Sequence, residues 1–327
     1  MTALARRRLL AAAALTPLAA WGPIASAQGL PDRPIRLIVG FPPGTGPDMV
    51  ARLLAQRLAE QLRQQVIVDN RAGAGGQIAA QAVARAAPDG TTLLLGEVGS
   101  IAIAPAAFEK LPYAPARELA GISEAVRSDF LFVVPASSPH ASLAAFVKAA
   151  RSRGDRTNLA TFGAGTPGHF AADMLGEAAG FTVEPVHYRA TGDAVTAIIA
   201  GDVAGAFVST ALGLAQIRGG RMRALATTAP ARLAALPEVP TFAEAGWPAL
   251  DVSAWFMLMA PAGTPAALLD LLQRQTVGAL QHPETRTKLG EAGFSITGSS
   301  RPEAERLLVA EARRWAGVVR SSGFKGD

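Results

Sequence analysis

Between residues 35 and 95 the chain alternates apolar strand-like runs with helix-like stretches across short loops, and this alternation restricts the fold more than any other feature. Ile35-Arg36-Leu37-Ile38-Val39 reads as a strand. Val50, Leu53, Leu54, Leu58 and Leu62 mark one stripe of a following helix that Asp48 can cap. Residues 65–69 form a second strand, 77–86 a helix stopped by Pro88-Asp89-Gly90, and 91–95 a third strand. A βαβαβ order implies a mostly parallel sheet with right-handed crossovers. The pattern then repeats in a second place. Residues 131–134 read as a crossing into a second lobe, after which strands at 158–162, 183–187, 203–208 and 223–228 alternate with helices at 142–153, 169–179 and 193–200. Residues 255–259 return the chain to the first lobe, and helices at 265–280 and 302–319 follow.

The expected fold class is therefore α/β, with two lobes joined by crossing strands and a ligand cleft between them. The expected division is 1–27 as an export signal, 28–134 plus 254–327 as domain 1, and 135–253 as domain 2. Lobes joined by paired strands close like a hinge, and ligands of such sheets sit at the carboxyl ends of the strands.

The first residues point to export. Arg6, Arg7 and Arg8 form a basic segment, Leu9 to Leu18 an apolar one, and Ala25-Ser26-Ala27 a small-residue cleavage site before Gln28. The alternative is a membrane anchor, but the apolar run is too short to span a bilayer. Arg6-Arg7-Arg8-Leu9-Leu10 also fits a twin-arginine core, with Ala5 where Ser or Thr is usual, so the translocation route stays open. Cleavage removes three arginines and no acid, taking the formal charge from +5 to +2. No Lys/Arg cluster remains in the mature part, which argues against nucleic acid. With no cysteine in the chain, disulfides, thiolate nucleophiles and Cys-based metal sites are excluded.

Two glycine-rich loops carry the candidate chemistry. Phe41-Pro42-Pro43-Gly44-Thr45-Gly46-Pro47-Asp48 lies between the first strand and first helix. Its glycines allow close approach of backbone, and a helix start offers unpaired N–H groups at the positive end of a dipole. Such a turn is an anion cradle or simply a strand-to-helix turn stiffened by prolines; both readings stand at this stage. Gly163-Ala164-Gly165-Thr166-Pro167-Gly168-His169 matches G-x-G-x-x-G. A dinucleotide site is the obvious reading of that match, but it lies mid-chain, and Arg189 stands about where a ribose-binding acid belongs. The same geometry serves a carboxylate, with Thr166 adding a hydroxyl. His169 is either a ligand donor or a helix-start residue whose side chain is satisfied locally. The other histidines, His140, His187 and His282, show no metal-ligand spacing, and no hydrolase, zinc-protease or P-loop motif occurs.

The ordered set of segments resembles the Bug/TctC family, the solute-binding proteins of tripartite tricarboxylate transport systems. The segments are Pro34 to Val39 with Phe41-Pro42-Pro43-Gly44, Val68 to Gly76, Ala87-Pro88-Asp89-Gly90 and Lys110-Leu111-Pro112-Tyr113, then Gly163 to His169, Leu236 to Thr241, Trp255-Phe256 and Pro261 to Pro265. The resemblance implies a type II periplasmic-binding-protein fold that grips a small organic acid by backbone N–H groups and bridging waters. It places Phe41, Gly44, Thr45, Gly46 and Asp48 on one wall and Gly165, Thr166 and His169 on the other, with Ser100, Tyr188 and Ser209 as further pocket candidates. Thr45 replaces a usual glycine, His187-Tyr188-Arg189-Ala190 a usual Pro-Tyr-Lys-Gly, and Ala204 a common aspartate; these bear on which acid is bound. The expectation is a periplasmic, monomeric receptor, not an enzyme, that takes no cofactor or metal and delivers a mono- or dicarboxylate to a membrane permease. Two other readings are a sensory receptor of the same fold and an exported hydrolase or isomerase using His169 and Asp48.

Overall fold

The computed structural model describes residues 30–326 apart from Asp155 and Arg189, so the expected export signal and the expectation for Arg189 lie outside the described residues. β1 (Ile35–Val39) pairs in parallel with β2 (Val66–Asn70) on one side and β3 (Thr92–Glu97) on the other, and α1 (Gly46–Leu62) and α2 (Gln77–Ala84) make the crossovers. Ile35, Leu37, Ile38 and Val39 are all buried, which explains the unbroken apolar run: a parallel strand with cover on both faces needs no polar side.

A π-helical turn at Gly99–Ile103, α3 (Ala104–Ala107) and α4 (Pro115–Glu118) lead into β4 (Leu119–Pro135). Then come α5 (Leu143–Arg153), β5 (Thr157–Thr161), α6 (Pro167–Ala179), β6 (Val183–His187), α7 (Thr191–Ala200), β7 (Gly205–Ser209), α8 (Thr210–Arg218) and β8 (Met222–Thr227). The chain ends with β9 (Ser253–Pro261), α9 (Ala266–Gln281), α10 (Pro283–Glu291), β10 (Ser295–Ile296) and α11 (Arg301–Ser322).

The strand path runs β2-β1-β3-β9-β4-β7-β5-β6, with β8 and β10 also pairing β4. β4, at 17 residues, is far longer than the segment 131–134 expected there. Its residues 119–129 pair with β9, and 130–135 pair with β7 and β8. Two register shifts along the β9 pairing and one along the β8 pairing bend the strand as it passes between the two groups. Side chains alternate at its far end. Phe132 and Val134 enter the larger core, whereas Leu131 and Val133 enter a second cluster with Ile198, Val208 and Leu236.

The first group of strands is fixed to α11 by one buried acid. Glu311 Oε2 accepts the indole N–H of Trp255 on β9 at 2.9 Å and that of Trp315 on α11 at 3.0 Å. Both indoles are fully buried, so neither N–H has water as a fallback. Glu311→Ala strands both donors. The expected loss is about 3 kcal/mol, at roughly 1–3 kcal/mol for each unsatisfied buried group. Urea unfolding should show it as a lower midpoint at constant slope.

Candidate functional site

The two glycine loops have the same backbone. Gly44 (φ +80°) and Gly165 (φ +72°) take the left-handed conformation that favours glycine. Each is followed by a threonine at the N-cap, Thr45 at φ −83° and Thr166 at φ −86°. Thr45 Oγ1 donates to the Pro42 carbonyl at 2.7 Å, and Thr166 Oγ1 donates to the Gly163 carbonyl at 2.8 Å. The ordinary φ at position 45 accepts any residue, so threonine fits there without strain. α1 and α6 then begin at Gly46 and Pro167. Among the described residues, the N–H groups of Gly46 and Thr166 find no protein acceptor. They are free donors at a helix start, where a negative charge is favoured by about 0.3–1 kcal/mol on a surface and more when partly buried.

The residue four positions after each loop glycine clamps it. Asp48 Oδ2 accepts the Gly44 N–H at 2.9 Å, and His169 Nδ1 accepts the Gly165 N–H at 3.1 Å. Both clamps are 3% exposed. Asp48 and His169, expected on the two walls, are buried and hold their loop glycines through these bonds. Asp48 also stands inside the helix, not at its cap. Burial pushes the Asp48 carboxyl up, but bonds from Arg52, Gly44 and Asn70 outweigh it and hold the group below its usual range.

His169 is a neutral clamp. Burial, with the nearby His187, lowers its pKa to about 4. Since Nδ1 accepts, the ring proton sits on Nε2, which lies 3.4 Å from Asp173 Oδ2. Burial raises the Asp173 carboxyl to about 6. The His187 ring stands at right angles to His169 at 4.7 Å, and its Nδ1 is 2.6 Å from Thr161 Oγ1.

Strand directions bring the two loops to one place. β1 and β4 run the same way, since β1 is parallel to β3 and two antiparallel pairings, β3 with β9 and β9 with β4, follow. β5 and β7 run against β4. β1 thus ends towards the middle of β4 from one side, and β5 and β7 end towards it from the other. By register Leu95, beside Val39, lies level with Ser123, and Ser209 lies level with Phe130. The loops after β1 and β5 face the stretch of β4 between these levels.

The remaining expected residues vary in position. Phe41 packs edge-on to Phe256 at 6.1 Å, and Phe256 to Phe294 at 5.9 Å, which makes an aromatic backing for the first loop. Ser209 sits at the end of β7 and caps α8. Tyr188 is half-buried at the end of β6, its N–H bonded to the Thr161 carbonyl at 3.1 Å. Ser100 is buried, with its hydroxyl donating to the Glu97 carbonyl at 3.2 Å, so its side chain belongs to the turn after β3.

Sequence reasoning passed over two acids. Glu97 ends β3, bonds the Gly99 N–H at 2.7 Å, and is pushed by burial to about 7. Asp129 lies where β4 changes partners and is pushed by burial to about 6. The signal available for Glu97 was an acid closing an otherwise apolar strand. Two concavities, of about 580 and 620 Å³, contain neither loop: one is lined by Ser142, Arg223, Val239 and Trp247, the other by Asp173, Phe181, Val318 and Ser322. Among the described residues no group of acids and histidines could hold a metal, and no helix is long and apolar enough to cross a membrane.

Comparison with known proteins agrees with this geometry. Residues 50–324 match the model of a family described as tripartite tricarboxylate transporter family receptor. Among solved structures, periplasmic binding protein BugD is 28% identical with a TM-score of 0.79, over 91% of this chain and 100% of that one. MatC of Rhodopseudomonas palustris with bound malate is 31% identical at TM-score 0.78, over 88% and 99%. A further R. palustris protein, solved with adipate, is 30% identical at TM-score 0.83, over 91% and 99%. The fold is that of the periplasmic binding proteins.

The His169 clamp predicts a pH effect. His169→Phe should cost about 1 kcal/mol at pH 7, the scale of one lost hydrogen bond. A folded-state pKa below the unfolded value of about 6.5 means that the unfolded histidine binds a proton the folded one refuses. The wild-type protein's advantage is therefore full above pH 6.5 and shrinks towards pH 4, by up to about 1.4 kcal/mol per pH unit. The raised Asp173 works in the opposite sense but is common to both proteins. Urea unfolding at pH 7, 5.5 and 4.5 measures the difference; a constant gap would contradict a neutral clamp.

Proposed function

Because this chain belongs to the tripartite tricarboxylate transporter receptor family, we propose that it captures a small mono- or dicarboxylate between its two clamped loops and releases it unchanged to a membrane permease. The observation that carries this reading is the repeated turn. Two helix starts with matching glycine and threonine backbone and a buried acceptor four residues on follow strands that end towards the middle of β4 from opposite sides, and each leaves an N–H donor without a protein acceptor among the described residues. A carboxylate has two oxygens with several lone pairs, so it matches two such donor sets at once. The relatives solved with malate and adipate hold dicarboxylates of different length, which supports the ligand class and leaves chain length to the rest of the cleft.

In this reading the contacts come from the free N–H groups of Gly46 and Thr166, with Phe41, Thr45, Tyr188 and Ser209 around them, while the N–H groups of Gly44 and Gly165 stay with Asp48 and His169. Asp48, Ser100 and His169 hold the turns in shape. Residues 28–134 plus 254–327 and residues 135–253 form two lobes that close over the acid, excluding water and strengthening each hydrogen bond. The protein works as a monomer. Its first 27 residues direct it to the periplasm and are cut before Gln28. Mass spectrometry of the periplasmic form tests that point: a mature N-terminus at Gln28 is expected, and an intact Met1 would contradict it.

Thermal unfolding of ligand-stripped protein against a panel of mono-, di- and tricarboxylates tests the binding. A ligand selective for the folded state adds about 2.7 kcal/mol at 100 times its Kd. One acid or a short series should raise the midpoint and be recovered unreacted. No rise across the panel would contradict the carboxylate reading, and conversion of the acid would contradict the receptor reading.

A further inference from the structure

The residues that follow α11 run from one half of the molecule to the other. Phe324 packs on the second loop: its ring lies 3.4 Å from where a side chain on Gly165 would begin. It stands at right angles to the His169 ring at 5.3 Å and to the Phe170 ring at 5.7 Å. Two residues later the chain is attached to the first half. Gly326 donates its N–H to the Ala107 carbonyl at 2.7 Å and forms an isolated parallel bridge with Phe108. The Phe108 ring lies flat on Gly326, and any side chain at that position would overlap it. Close by, α6 and α11 pack through the buried Phe170 and Trp315 rings, 5.8 Å apart, and beyond that contact a concavity of about 620 Å³ opens between Asp173, Gly176 and Glu177 on one helix and Gly317, Val318 and Ser322 on the other.

We propose that Phe324 is a positioning residue for the ligand and that residues 324–326 act as a strap, holding the second loop to the first half and setting how far the cleft opens before an acid arrives. This inference rests on the two-lobed reading given above. Two aromatic contacts and the approach to Gly165 at one end, and a hydrogen bond plus a glycine-only contact at the other, make the strap specific at both ends. β4 and the segment leading into β9 join the halves covalently, and β4 bends at its bulges. The strap adds to the Phe170–Trp315 contact between α6 and α11 and lies at the loop end of it. Released at either end, it no longer limits opening, and the free protein must give up more motion to close.

Two variants cut the strap at opposite ends. Phe324→Ala removes the ring from the second loop. Gly326→Pro removes the N–H donor and displaces Phe108, which does not touch the second loop, and Phe108→Ala frees the same end by another route. Small-angle scattering of the ligand-free proteins and titration with the acid identified from the carboxylate panel are the readouts, with circular dichroism to confirm folding. Each cut should enlarge the radius of gyration without ligand and weaken binding by about tenfold, the scale of one or two aromatic contacts. Phe324→Tyr, which keeps the ring, should behave as wild type. An effect of Phe324→Ala alone, or of none of the cuts, overturns the strap. If the wild-type protein binds no acid, the receptor reading fails on its own, while the scattering comparison still decides whether the strap restrains opening.

Discussion

One strand serves two sheets, and the rest of the structure follows from that. β4 pairs with β9 over residues 119–129 and with β7 and β8 over 130–135. β1, β2 and β3 run with it and β5, β6 and β7 run against it, so the carboxyl ends of both groups point at its middle. Parallel strands need helical crossovers, and each crossover begins with a loop at a carboxyl end. Two loops that start a helix are thereby aimed at each other by topology alone. No charged side chain is required to bring them together.

What the loops do chemically depends on small backbone choices. A left-handed glycine, a threonine cap and a buried acceptor four residues on recur in both, although the flanking sequences differ: Gly44-Thr45-Gly46-Pro47-Asp48 in one and Gly165-Thr166-Pro167-Gly168-His169 in the other. The clamps are unlike in charge. Asp48 is an anion balanced by Arg52 and Asn70, whereas His169 is a neutral ring whose lone pair takes the Gly165 N–H. Either solution fixes the glycine and leaves an N–H nearby, that of Gly46 or Thr166, without a protein acceptor among the described residues. Oriented donors that need no rearrangement bind an anion at little entropic cost.

Much of this was legible in the sequence. Strands β1 and β6 were expected at their observed bounds, and β5 and β7 within one or two residues, because short strands between turn signals stand out from the helical stretches around them. The two loops were legible from glycine and proline spacing. β4 was not: Ser123, Glu124, Arg127, Ser128 and Asp129 break its apolar run, and only the pairing with β9 shows them to be one strand in which all but Arg127 are buried. The roles of Asp48 and His169 were also out of reach, since spacing places a side chain near a loop without saying which way it faces. Glu311 looks like one more acid on an exposed helix until two indoles are found to meet on it.

The central claim is that backbone donors of both loops hold one ligand. Amide chemical shifts of Gly46 and Thr166, followed by NMR in isotopically labelled protein during titration with the bound acid, test it most directly. The account predicts that both amide protons move downfield together, saturating at one equivalent. Movement at one loop alone, or at neither while binding is complete, would contradict it.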